Sequence, residues 1–150
     1  MKRIPIIALF FILLSISSGI AGDLGRMSRS LIFFNSQSAS TTTRYITPGT
    51  GVSSGTESAV RQEIAMGGTL SQMRCSATAA PAGGTSWVIA VFVGGSASAL
   101  TCTIAGSATT CSDLTNSVAL ARGNTFSLGT TAAGGTPTSS FHHCHAVFEG

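Results

Sequence analysis

The stretch 100–118, LTCTIAGSATTCSDLTNSV, restricts the fold more than any other part of the chain. At its centre Gly106-Ser107 has the composition of a two-residue hairpin loop, because Gly reaches positive φ without a steric penalty. Counting outward pairs Ala105 with Ala108, Ile104 with Thr109, Thr103 with Thr110, and Cys102 with Cys111. If the loop-flanking pair is hydrogen-bonded, the cysteines fall at a non-hydrogen-bonded pair, where Cα atoms approach to about 4.5 Å. A disulfide fits at that spacing. The hairpin therefore argues for an oxidised, all-β domain.

The punctuation beyond residue 64 supports this. Turn signals recur at Gly67-Gly68, 81–84, Gly94-Gly95, Gly106-Ser107, 122–124 and 134–137. Between them lie strand-like segments at 69–78, 86–93, 99–104, 109–112, 117–121, 125–130 and 140–148. Short strands at this spacing predict a sandwich or a barrel. Residues 57–63 read either as a helical turn, through Glu57 and Arg61 at i,i+4, or as a strand, through Val60, Gln62 and Ile64. Period-two alternation puts Met73, Cys75 and Ala77 on one face, Phe126 and Leu128 on another, and Trp87, Ile89, Val91 and Val93 on a third. The opposite face of the Trp87 strand, Val88, Ala90 and Phe92, is apolar too, and a half-buried strand normally turns polar residues outward there. Either another part of the same chain, with the apolar segment 31–34 as one candidate, or a neighbouring subunit is expected to cover it.

The N-terminus reads as an address. Residues 1–21 carry Lys2 and Arg3, an apolar run, a Ser-rich taper and small residues at Gly19 and Ala21, the layout of a secretory signal peptide. The rival reading is a retained anchor at 4–20, which would be the chain's one contact with a membrane. Residues 22–55 are expected to form an arm or linker with a possible strand at Leu31, Ile32, Phe33 and Phe34, and residues 56–150 the sandwich domain. The apolar tetrad suits either an edge strand of its own domain or strand addition between subunits. Lys2 and Arg3 supply two charges of the formal net +3, so the remainder is nearly neutral, and its arginines at 26, 29, 44, 61, 74 and 122 are scattered. That excludes a basic nucleic-acid footprint and, since net charge keeps proteins apart, favours self-association. No Asn-x-Ser/Thr sequon occurs, whereas the many Ser and Thr leave O-linked sugars open.

Four cysteines allow three connectivities. Pairing Cys102 with Cys111 leaves Cys75 with Cys144, joining an early strand to the last, as jelly rolls permit. The longer loop predicts a contribution of about 4 to 5 kcal/mol, against roughly 2 to 3 for the hairpin.

The succession GTLSQMRC (68–75), APAGGTSW (80–87), ALTCTIAGSATTCSDLTNSV (99–118) and RGNTFSL (122–128) resembles small β-sandwich domains of phage-like and environmental bacterial surface, fibre and virion structural proteins. The resemblance covers residues 51–150 and implies an all-β, single jelly-roll-like sandwich serving as a structural or display module. The apolar outer face of the Trp87 strand and the signal segment depart from that pattern.

Candidate chemistry is sparse. In Phe141-His142-His143-Cys144-His145, His143 and His145 share a strand face, and with Glu149 they resemble the first metal motif of cupins. Against a metal site, no further histidine follows and Cys144 is expected to be oxidised; solvated or interface histidines are the plainer reading. The acids outside the leader are Asp23, Glu57, Glu63, Asp113 and Glu149, no Gly-x-Ser-x-Gly elbow occurs, and Asp113 reads as a turn hydrogen bond. Neither a catalytic constellation nor a cofactor motif is visible. Trp87, Tyr45, Phe92 and Phe141 are the aromatics that could stack on sugars, Trp87 reading first as core. The expectation is a secreted, non-enzymatic structural subunit of a homo-oligomer or polymer, with Leu31, Ile32, Phe33, Phe34, Val88, Ala90 and Phe92 as its interface. The alternative is a glycan-binding or adhesin domain.

Overall fold

The computed structural model describes residues 29–35 and 42–150, so the expected signal segment lies outside the described residues. Among the described residues, ten strands form two antiparallel sheets: β1 (Arg29–Asn35), β2 (Arg44–Ile46), β3 (Ser53–Ser54), β4 (Gln62–Glu63), β5 (Gly68–Ala77), β6 (Ala82–Val93), β7 (Ser96–Gly106), β8 (Thr110–Leu120), β9 (Thr125–Ala133) and β10 (His142–Glu149). One sheet runs β1-β10-β5-β8; the other runs β3-β2-β9-β6-β7, with β4 also on β9. Setting aside the two-residue strands, β1 pairs with β10, β2 with β9, β5 with β8, and β6 with β7. First with last and inward to the middle, this nesting is a jelly roll.

The sandwich thus reaches into the segment expected to be an arm: β1, β2 and β3 all belong to the sheets. Residues 31–34 take the edge-strand reading. Phe34 lies in the core and Ile32 packs against it, while Leu31 is 55% exposed. Inside the sandwich, the fully buried Trp87, Ile89 and Val91 of β6 meet Leu70 and Met73 of β5, with Leu100, Ile104, Leu128, Ala146 and Phe148 filling the remainder. Burying side chains of this size contributes about 1.5–3 kcal/mol each.

Two irregularities adjust the alternation. Between β5 and its neighbours the register slips at Ser71/Met73 and His145/Val147, with Gln72 in the left-handed region at φ 53°. This bulge turns both Leu70 and Met73 inward although they are three residues apart, which an uninterrupted strand would not allow. Opposite it on β8, Asp113 pairs with Met73 and Ser117 with Ser71, so residues 114–116 bulge from a continuous strand where two separate strands were expected.

Both expected disulfides are present, with their geometries exchanged. Cys75 and Cys144 are direct cross-strand partners of β5 and β10, with Cα atoms 4.1 Å apart. Cys102 and Cys111 do not face each other in a ladder: β7 and β8 belong to different sheets, and their disulfide joins the two layers across a Cα separation of 5.7 Å. The turn itself is as expected, with Gly106 at φ 60° and the Ala108 N–H donating to the Ala105 carbonyl at 3.0 Å. Beyond it, β7 follows β6 and β8 follows β5, so the chain turns a corner. Cys75 pairs with Cys144 on one side and Cys111 on the other, placing three cysteines in one row across the sheet.

The apolar outer face of β6 is covered in part from within the chain, by elements other than the segment 31–34. Tyr45 of β2 packs edge-on against Phe92 with ring centroids 5.1 Å apart. Phe92 lies over Gly129 so closely that a Cβ there would overlap its ring. A 3-10 turn at Glu57–Ala59 lies against the same face, anchored by the Ser127 hydroxyl donating to Glu57 Oε1 at 3.1 Å. Residues 57–63 are thus both things the sequence suggested, a helical turn and then the short strand β4. Ala90 is buried, and Val88 and Phe92 remain half-buried.

Candidate functional site

One surface open to a partner lies along β1. This strand ends its sheet, so its outer edge carries no strand partner among the described residues. Open edges pair readily with extended chains. Its register, Ser30 opposite Phe148, Leu31 opposite Val147 and Phe34 opposite Cys144, holds it to the last strand. Next to the edge a groove of about 490 Å³ opens between the sheets, lined by Leu31, Ile32, Pro48, Ile64, Ala65 and Phe126, with Gln62 and Glu63 at its rim. Met66, adjoining this lining in sequence, is 61% exposed. The sequence singled out Leu31 and Ile32; the contribution of residues 48 and 62–65 was missed, because β4 is too short to show a period.

The second concavity, about 500 Å³, lies on the outer face of the same sheet. It follows from strand register. His145 is opposite Arg74, which is opposite Ser112; one step along, His143 is opposite Ser76, which is opposite Thr110. All six residues line the concavity, together with Cys75 and Cys111. On the far side of β10, β1 aligns Phe33 with His145 and Asn35 with His143.

No protein-family model matches the chain, and no curated protein matches it in sequence.

The arrangement of the histidines decides between the readings of the HHCH run. Alternation along β10 buries His142 and Cys144 and turns His143 and His145 outward. Glu149 is four residues beyond His145 and does not line their concavity, so the His143, His145, Glu149 set is not gathered at one point; Arg74 stands there instead. Among the described residues, the one group of three potential ligands within reach of each other is Cys75, Cys102 and Cys111, and all three are committed to disulfides. His142 is fully buried, its ring edge-on to Trp87 with centroids 5.0 Å apart. Burial first, and the neighbouring His143 second, push its pKa down to about 4.

Asp113, expected to hold a turn, does so and also ties the two sheets together. Its Oδ1 accepts from the Thr115 and Asn116 N–H groups at 3.2 and 3.0 Å, fixing the bulge. Its Oδ2 accepts from Asn116 Nδ2 at 3.0 Å and from the Thr101 N–H of β7 at 3.1 Å. Burial alone would raise its pKa; the hydrogen bonds outweigh that and hold the carboxyl well below the usual carboxylate range. Its lone pairs are occupied, so it serves the fold. Of the aromatics considered for sugar stacking, Trp87 is fully buried, Tyr45 and Phe92 pack on each other, and Phe141 is 48% exposed.

Proposed function

We propose that this protein is a secreted structural subunit of an extracellular assembly, in which copies of the chain associate through the β1 edge. The observation that carries the reading is the open edge of β1 beside an apolar groove, on a strand that lends Phe34 and Ile32 to the core. An extended strand with one edge open pairs there with the same edge of a second copy, continuing the sheet across the two chains. The nearly neutral composition outside the leader removes the charge repulsion that opposes such association. The two disulfides are consistent with an oxidising, extracellular setting. The likeness of residues 51–150 to structural and display modules of phage-like and bacterial surfaces points the same way.

Light scattering and electron microscopy of the secreted full chain test this. Regular oligomers or polymers are expected, dissociating to monomer on Leu31→Lys, which places a charge on the exposed side of β1 and leaves the core untouched. A native protein that stays monomeric at high concentration would overturn the reading, all the more if it bound glycans through Phe141.

A further inference from the structure

The outer face of the β1-β10-β5-β8 sheet carries a chemistry that edge association does not use. Its concavity gathers one guanidinium, two imidazoles and three hydroxyls, from Arg74, His143, His145, Ser76, Thr110 and Ser112. Strand pairing spaces these groups: opposite residues in adjacent strands have Cβ atoms about 4.5–5.5 Å apart, and the two rows are separated by about 7 Å along the strands. That lattice matches a group with several oxygens and one centre of negative charge. Guanidinium and imidazolium donate charge-assisted hydrogen bonds, and hydroxyls donate to whatever oxygens remain. No carboxylate lines the concavity.

We propose that this face is a binding site for a tetrahedral oxyanion, a phosphate or sulfate group, with Arg74 as the anchor and His143 and His145 as hydrogen-bonding partners. Position on three different strands makes the site a property of the fold, since Arg74 is on β5, the histidines on β10 and the hydroxyls Thr110 and Ser112 on β8. The bulge at Gln72 contributes, because it returns Arg74 to the outward phase while Met73 and Cys75 stay buried. Arg74 also argues against a divalent cation between His143 and His145, because a guanidinium beside the imidazoles repels it. The charged and titratable groups facing it are Arg74 from β5 and His143 and His145 from β10. β8 supplies the hydroxyls of Thr110 and Ser112 and the disulfide-bonded Cys111, and the β1 residues aligned with the histidines, Phe33 and Asn35, are not titratable.

Titration of the full, disulfide-intact chain with inorganic sulfate and inorganic phosphate at low ionic strength, followed by NMR of the histidine rings and the Arg74 Nε–H, tests the site. Saturable shifts at Arg74, His143 and His145 are expected. Arg74→Gln should weaken binding at least fivefold with an unchanged melting temperature. A sulfated oligosaccharide that binds more tightly than inorganic sulfate, through the same residues, identifies a polymer-borne group as the source; equal affinity identifies the free ion. Shifts spread evenly over the surface, binding indifferent to Arg74→Gln, or zinc binding at the histidines without oxyanion binding would each overturn the proposal. Light scattering on Arg74→Gln separates this result from the assembly reading, which that variant leaves intact.

Discussion

Thr130 brings a hydroxyl into the core of β9, where it is fully buried and makes no hydrogen bond among the described residues. An unpaired buried hydroxyl costs about 1–3 kcal/mol. Thr130→Val keeps the shape and removes that cost, so a gain of about 1 kcal/mol in urea unfolding is expected, with an unchanged m-value. His142 acts in the opposite sense as the pH falls. Its folded pKa is about 4 against an ordinary 6.5, so between those values the unfolded chain binds a proton that the folded chain refuses. Stability is therefore complete above pH 6.5 and is lost on descending to pH 4, by about 3 kcal/mol across the window. Unfolding of the wild type and His142→Phe at pH 7.5, 5.5 and 4.5 checks this: the difference between them should shift toward the variant as acid is added. The solvated or interface reading of the histidine run fails at His142, which is fully buried because period two from Cys144 turns both to the inner face. The environment of Thr130 was not legible in the sequence, because a threonine in a strand reads equally well inside and outside until its neighbours are known.

Strands, turns and their crosslinks raise a different question, that of direction. A Gly-Ser turn has the same signature whether the strands it joins form a ladder or part at a corner, so residues 100–118 disclosed the disulfide without the layers it joins. What decides is the competition for partners: β6 is tied to β7 through the Gly94-Gly95 turn, and β5 takes β8. Bulges were likewise invisible, because Gln72 and residues 114–116 shift the phase without any glycine or proline to mark them. Sequence separations of 69 for Cys75–Cys144 and 9 for Cys102–Cys111 set the entropic contribution of each crosslink. Loop closure gives about 4 kcal/mol for the first and about 2.5 for the second. The double variant Cys75→Ala/Cys144→Ala is accordingly expected to lose more stability in denaturant titration than Cys102→Ala/Cys111→Ala. The reverse order would show that bridging the two sheets matters more than the length of loop closed.

Across the whole molecule, the jelly roll leaves two surfaces with distinct chemistry on one sheet: the apolar β1 edge, and the cationic, hydroxyl-rich outer face of β10, β5 and β8. Edge association uses the first and leaves the second exposed, so an assembly built this way would present the oxyanion site once per copy. The fold class followed from period and turn chemistry, whereas the cysteine pairing was reached through a ladder the structure does not form, and residues 31–34 were left open between an edge strand and strand addition. The two concavities were not legible in the sequence, since each draws on strands far apart in sequence that only the nested topology brings together. Edge association makes one demand on geometry: Leu31, exposed on β1, lies beside β1 of a second copy while its own partner Val147 stays in the same chain. Oxidising Leu31→Cys during assembly, with the native disulfides intact, and mapping the peptides without reduction provides the most direct measurement. The expected result is a disulfide-linked homodimer in which the two introduced thiols are bonded to each other between chains. Regular assemblies that form without that crosslink, or no association at all, would contradict the account.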